Sequence, residues 1–236
     1  GSMKNSHKLL LGFAVVAAIL VAVVALKYPP VESPDAQGSI GASGASYVVR
    51  HNGALNLITL RYRLKDAAIK GAKAAFKVGD DEYPAGSFII PASDRARKEI
   101  EALGLAATAL PSAPQVDTVD VDLPRIAMYT TWANTEKVGW ERLAFDRFEM
   151  PSDLIHNDHV KAGANLASKY DVIVMPHQGN SGKAIVYEQP KLSKPLPYRK
   201  SEKFKSMGFY AETDDVRGGM GLEGAAAFQK FVEAGG

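Results

Sequence analysis

The chain contains no cysteine. That absence excludes disulfides, cysteine-based zinc sites, thiol nucleophiles and lipidated cysteines in one step. A dominant charge is missing too: 28 Lys and Arg stand against 26 Asp and Glu, for a formal net charge of +2. No basic stripe interleaves with aromatics, so nucleic acid is not an expected partner. The densest basic run, Lys191 to Lys205, is also rich in Pro and Ser and reads as a solvated loop. No complete catalytic constellation is present.

What remains is ordinary for a globular protein: 46% hydrophobic and 23% charged residues in a 236-residue chain, enough for one or two domains. Gly1-Ser2-Met3 reads as a cloning remnant ahead of a native start. Leu9 to Leu26 then runs eighteen residues with nothing more polar than Gly12. That length suits a helix crossing a hydrocarbon core about 30 Å thick. It exceeds a signal-peptide core of roughly 7–15 residues. Lys4 and Lys8 before it and Lys27 after it are nearly balanced. Three readings stay open: a membrane anchor through residues 9–26, a cleaved signal peptide, or a buried helix. The first two imply a membrane-anchored or exported protein. Residues 29–46 carry Pro, Gly, Ser and Ala and form a linker after the first 28 residues.

Residues 47–110 predict a small α/β unit. Tyr47 to His51 is a candidate strand. Ala54 to Lys77 is expected to be mostly helical, because Leu57, Leu60, Leu64, Ala68 and Ala72 share a helical face. Ser87 to Ile90 is a strand closed by Pro91. Ser93 to Leu103 is a helix, with Ser93 as N-cap and Gly104 just past its end. Ala106 to Leu110 is a further strand, and Pro111 to Asp122 a connector.

Residues 111–236 make the second part, with clear β–α alternation from Leu123. The pattern gives a strand at Arg125–Tyr129, a helix at Thr135–Met150, a strand at Ser152–His156 and a helix at His159–Ala167. A strand follows at Tyr170–Met175, and the last helix is Leu222–Ala234. Trp140 and Phe145 are expected in the core, as are Phe228, Phe231 and Val232. Alternation of this kind implies a parallel sheet with right-handed crossovers, a flavodoxin-like α/β fold. Val172-Ile173-Val174-Met175 does not alternate, so its strand is expected to be central and buried on both faces. No strand follows the last helix, which leaves a small sheet or a longer parent chain as the two readings.

Several candidate sites can be weighed. His177 and Gln178 follow the Val172–Met175 strand, at the carboxyl end where open α/β sheets place ligands. Gly218, Gly219 and Gly221 precede the last helix, where backbone N–H groups can approach an anion. His156 and His159 are three apart, but no third ligand is placed, so a strand-to-helix turn capped by Asn157 or Asp158 is preferred to a zinc site. Gly179-Asn180-Ser181-Gly182-Lys183-Ala184 lacks the Gly and the Ser or Thr that a phosphate-binding loop needs, and reads as a flexible loop. Residues 179–219 form a long excursion that is either a lid over a pocket beside His177 or a solvated loop. Asp214, Asp215 and Arg217 can form a local ion pair, worth under about 1 kcal/mol if exposed.

Pro124-Arg125-Ile126-Ala127-Met128-Tyr129, Gly139-Trp140, Phe145-Asp146 and Lys169-Tyr170-Asp171-Val172-Ile173 come in that order. Gly218-Gly219-Met220-Gly221-Leu222-Glu223-Gly224 and Phe231-Val232-Glu233-Ala234-Gly235-Gly236 follow. This series resembles the C-terminal region of bacterial M14-type zinc carboxypeptidase-like proteins, in which a class I glutamine amidotransferase-like domain follows the peptidase domain. Tyr83-Pro84-Ala85-Gly86-Ser87-Phe88-Ile89-Ile90 resembles the segment between the two. The resemblance covers roughly Tyr47 to Gly236. It implies an amidotransferase-like fold in a non-catalytic accessory or ligand-binding domain. Two alternatives are part of a zinc metallocarboxypeptidase (a hydrolase), or an interaction scaffold for a separate peptidase chain. The implied partners are a metallopeptidase domain or chain and a peptide or other anionic ligand. The implied setting is a bacterial periplasm or cell envelope.

The departures are specific. None of His7, His51, His156, His159 or His177 has a Glu three residues on, so the peptidase zinc motif is missing. No cofactor is expected in this chain, and zinc only with a peptidase domain elsewhere. The strand and nucleophile that the amidotransferase-like fold places after Gly236 are missing as well.

Overall fold

A computed structural model describes residues 40, 44–133, 135–161, 165–176, 179–208 and 211–236. The hydrophobic run at residues 9–26 lies outside the described residues, as do His177 and Gln178. Among the described residues, no helix is long and apolar enough to cross a membrane. The chain is a mixed α/β protein of two compact units. One comprises residues 1–56 and 67–120, the other residues 57–66 and 121–236.

The first unit is built on antiparallel pairing. Strands β1 (Ser46–Val49), β2 (Lys70–Ala72), β5 (Phe88–Pro91), β6 (Ala107–Leu110) and β7 (Thr118–Asp120) form one sheet in the order β6-β1-β5-β2-β7. β1 is its fully buried member, and its register sets Tyr47 against Ile90 on one side and Ala109 on the other. β3 (Phe76–Val78) and β4 (Asp81–Tyr83) make a separate hairpin. Gly79 turns it at φ +60°, a conformation open to glycine at no steric cost. The expected helix over Ala54–Lys77 ends early: α1 spans only Asn56–Arg63, and the rest supplies β2 and β3. Hydrogen bonding of residues 70–72 to β5 and β7 overrides a modest helical pattern. Helix α2 (Asp94–Ala102) agrees with its sequence signals, since the Ser93 hydroxyl accepts from the Ala96 N–H at 3.1 Å and Gly104 takes φ +64°.

The second unit holds a three-stranded parallel sheet in the order β10-β8-β9. Its strands are β8 (Ile126–Thr130), β9 (Asp153–His156) and β10 (Val172–Val174). All five residues of β8 are buried, so the fully enclosed central strand is β8. β10 pairs with β8 in parallel as expected, Val172 opposite Ile126, but it is the edge strand. Val172 and Met175 are each 41% exposed, so the unalternating run here does not mark burial on both faces. Arg125 clamps the start of the pair. Its guanidinium donates to both Asp171 carboxylate oxygens, at 3.0 and 2.7 Å, and the Asp171 N–H donates back to the Arg125 carbonyl at 2.9 Å.

The helices of this unit are α3 (Thr135–Arg147), α4 (Asn157–Lys161), α5 (Gly182–Tyr187) and α6 (Gly221–Glu233), with a 3-10 turn at Leu166–Ser168. The core beneath α6 gathers Ala127, Tyr129, Ile155, Val160, Leu166, Met220 and Phe231. Phe231 is buried as expected, whereas Val232, in the last turn of α6, is 65% exposed. On α3, Val138 is the buried anchor, and Trp140 is 70% exposed instead of packed in the core. Of the helix expected at His159–Ala167, the start lies in the short α4 and the end in the 3-10 turn, while residues 162–164 lie outside the described residues. Residues 179–194 are not a plain loop, because Ser181 caps α5 through a 3.2 Å bond from the Ala184 N–H.

Candidate functional site at the carboxyl end of the parallel sheet

Open parallel sheets leave their ligand crevices at the carboxyl ends of their strands. Here β8 ends in Thr130 and runs into Thr131 and Trp132, while β9 ends in His156 and runs into Asn157 and Asp158. Thr130 and Thr131 are each 1% exposed, although threonine is a surface-tolerant residue. The Thr131 hydroxyl donates to Glu188 Oε1 at 2.7 Å, and the Trp132 indole N–H donates to Asp158 Oδ2 at 3.1 Å. The same Asp158 oxygen accepts from the Thr213 hydroxyl at 2.5 Å. Trp132 stacks on the His156 imidazole, with centroids 4.0 Å apart and planes 13° from parallel, and Tyr198 leans on it at 5.7 Å.

Four polar atoms in this region are buried with no hydrogen-bond partner among the described residues: the Tyr129 hydroxyl, His156 Nδ1, Asn157 Oδ1 and Glu188 Oε2. Tyr129 and Asn157 are fully buried. Leaving such a group unpaired costs about 1–3 kcal/mol, more when it is charged. Burial raises the Tyr129 hydroxyl pKa, and the carboxylates of Glu188 and then Asp158 raise it further. The phenol therefore keeps its proton. Glu188 also sits at φ +42°, uncommon for a residue with a Cβ.

The Gly218–Gly221 loop borders this region. The Asn157 amide donates to the Gly218 carbonyl at 2.8 Å and to that of Gly219 at 3.5 Å. The Gly219 N–H donates to the Tyr187 carbonyl at 3.0 Å, next to Glu188. A Cβ on Gly219 would lie 2.6 Å from the Ile185 carbonyl oxygen, so only glycine fits there. Lys161 flanks the loop: a Cβ on Gly221 would lie 3.6 Å from its Cε. Burial lowers the Lys161 pKa first and Lys191 lowers it further, opposed by Asp158, Asp215 and Glu223.

Burial lowers the His156 pKa first and His159 adds to that, against the Thr130 backbone and Asp158. His159 is exposed, and its Nδ1 accepts the His156 backbone N–H at 3.1 Å. Among the described residues no group of three or more His, Asp or Glu side chains converges to hold a metal ion. The Arg217 and Asp215 pair forms, and it is buried. Arg217 is 5% exposed and doubly bonded to Asp215 at 2.8 and 2.9 Å, and its guanidinium also reaches the Ser193 carbonyl at 2.8 Å. A bridge between Tyr198 and Thr213 closes the excursion onto itself.

Of the candidate residues, Gly218, Gly219 and Gly221 are brought beside Asn157 and Lys161. Thr131 and Glu188 were not foreseen. The position of Thr131 just past β8 was a usable signal, whereas nothing around Glu188 distinguishes it from any acidic loop residue. The chain shows no match to any family model, any curated protein or any solved structure.

Proposed function

We propose that the second unit is a non-catalytic ligand-binding α/β domain, of the accessory amidotransferase-like kind that the sequence resembles. It receives a small polar molecule at the carboxyl ends of β8 and β9. The observation that carries this reading is the set of buried unpaired atoms near these strand ends, Tyr129 Oη, His156 Nδ1, Asn157 Oδ1 and Glu188 Oε2. Buried polar groups are almost always paired, so several unpaired ones near the same strand ends call for a partner. In this reading the amidotransferase-like domain serves a metallopeptidase domain or chain, and residues 9–26 tie it to a membrane or mark it for export.

The test is thermal unfolding of the full chain against a panel of small hydrogen-bond donors: amides, polyols and primary amines. A molecule that binds only the folded state raises the unfolding midpoint. Tyr129→Phe removes one acceptor with almost no change in volume and abolishes that rise. A panel in which no compound shifts the midpoint ends this reading. The hydrolase alternative is separated by metal content. After incubation with excess zinc and dialysis, stoichiometric zinc together with carboxypeptidase turnover would favour it.

One observation favours the scaffold reading as a second function. Trp140 and Leu143, three apart on α3, are 70% and 59% exposed. Aromatic anchors of this kind are enriched at protein interfaces. Loss of peptidase capture on Trp140→Ser, with ligand shifts intact, would assign that role to α3.

A further inference from the structure

The excursion between α5 and α6 carries a basic turn that the site at the strand ends does not use. Every residue from 189 to 206 is exposed except Tyr198, which is partly buried. The stretch is nonetheless held in place. Buried Arg217 donates to the Ser193 carbonyl at 2.8 Å, and the Val216 N–H donates to the Leu196 carbonyl at 2.9 Å. Tyr198 and Thr213 exchange N–H bonds at 2.9 and 3.0 Å, and the Lys200 N–H donates to Glu212 Oε1 at 2.9 Å. Directly after this pairing the chain turns. Ser201 and Phe204 bond each other's backbone at 3.3 and 3.2 Å, and the Ser201 hydroxyl accepts the Phe204 N–H at 3.1 Å.

Phe204 is 51% exposed at this turn, and Lys203 Nζ lies 5.3 Å from the centre of its ring. Lys200 and Lys205 stand within four residues of it, and Glu202 is the single acidic residue of the turn. Nearer the base, Lys191 pairs with Asp215 and Arg199 with Asp214. Among the described residues, no carboxylate lies within ion-pair distance of Lys200, Lys203 or Lys205. The base of the excursion is thus neutralised, while its turn keeps three charges around an exposed aromatic ring.

We propose that the turn at residues 200–205 docks on an anionic lipid surface, with Phe204 entering the headgroup boundary and the three lysines facing lipid phosphates. An apolar ring ringed by lysines matches a surface that is apolar below and anionic above, because long lysine stems keep their ammonium groups at the polar level. Lysine is a hydrated point charge and suits a diffuse layer of anions, whereas recognition of one defined carboxylate favours the fork of arginine. The apolar run at residues 9–26, long enough to cross a hydrocarbon core, would keep a bilayer within reach of this chain.

The inference does not depend on the ligand-binding reading, since none of the unpaired atoms invoked there belongs to the turn. The full chain is digested with trypsin alone, with vesicles of phosphatidylcholine, and with vesicles of equal parts phosphatidylcholine and phosphatidylglycerol. Cleavage of a small peptide substrate in the same mixtures corrects for any effect on the protease, and the phosphatidylcholine arm holds any insertion of residues 9–26 constant. Cutting after Lys200, Lys203 and Lys205 is expected to slow by about tenfold or more with the mixed vesicles only, since each lysine near an anionic surface contributes about fivefold to binding. Phe204→Ser, and Lys203→Gln together with Lys205→Gln, which leaves Lys200 as a cut site, should each remove most of that protection. Circular dichroism confirms that these exposed substitutions leave the fold intact, and the wild-type comparison of the two vesicles stands without them. Equal slowing by phosphatidylcholine alone would overturn the anionic requirement. Cutting unchanged by either vesicle would overturn the proposal outright. Slowing by polyglutamate without slowing by the mixed vesicles would overturn it in favour of an acidic polypeptide.

Discussion

Thr131, one residue past the central strand, donates a 2.7 Å hydrogen bond to Glu188, which is held at φ +42°. The bond joins the end of β8 to the residue that closes α5, fifty-seven positions later. Thr131→Val keeps the shape and leaves Glu188 Oε1 without its donor. The expected cost is about 1–3 kcal/mol by urea denaturation. Glu188→Gly removes the carboxylate and also relieves backbone strain on the order of 1 kcal/mol, so its net effect on stability is smaller while ligand shifts disappear. A neutral Thr131→Val would show that the bond does not hold this corner.

The stacked Trp132 and His156 pair makes stability depend on mild acid. The His156 pKa is lowered in the folded chain from its ordinary 6.5. Below pH 6.5 the unfolded chain takes up a proton that the folded one refuses, so stability falls as pH drops from 6.5 through the folded pKa. His156→Gln should flatten that segment of the curve. Trp132 fluorescence should change with the same midpoint, reporting the imidazole against it. A curve unchanged by the substitution would assign the acid sensitivity elsewhere.

A second pH dependence lies further down. Hydrogen bonds from the Arg125 guanidinium, then from its backbone N–H, lower the Asp171 pKa to about 2 from an ordinary 3.8. A lowered carboxyl pKa stabilises above the unfolded value, and that contribution is lost as pH falls from about 4 through about 2. Asp171→Asn should remove this loss, and added salt should shrink it, since both side chains are about half exposed. Equilibrium unfolding between pH 4 and 2 checks both statements.

Two glycines should answer oppositely to alanine. Gly139 lies within α3 with nothing within 4 Å of a built Cβ, so Gly139→Ala should raise stability by up to about 1 kcal/mol. At Gly219 the new methyl would press on the Ile185 and Val186 carbonyl oxygens, at 2.6 and 2.7 Å, and Gly219→Ala should cost about 1–3 kcal/mol. Denaturant midpoints decide. Equal effects at the two positions would contradict the packing described.

The β–α alternation from Leu123 onward carried the parallel sheet correctly, because period and breakers there agree with the tertiary pairing. It could not rank the strands. A run such as Val172–Met175 looks identical in sequence whether neighbours cover one edge or two, and only the strand order separates the enclosed β8 from the edge β10. The helix expected over Ala54–Lys77 stops at Arg63 for the related reason that β2 is held by partners far along the chain. Part of the candidate site was legible by rule, since it lies at strand carboxyl ends. Glu188 was not, because its role comes from meeting Thr131 across the fold.

Helix α1 belongs to the second unit, yet the chain on both sides of residues 57–66 builds the first. Thr59 donates to the Phe148 carbonyl at 3.1 Å, and Arg63 holds Glu149 at 2.9 Å. During synthesis α1 therefore leaves the ribosome well before the segment that covers it. Leu57, Leu60 and Leu64, all buried in the finished protein, wait in water until residues 121 onward have emerged. The nascent chain presents a chaperone with an apolar stripe at that stage. For the same reason, no single cut in the gene separates two self-sufficient pieces.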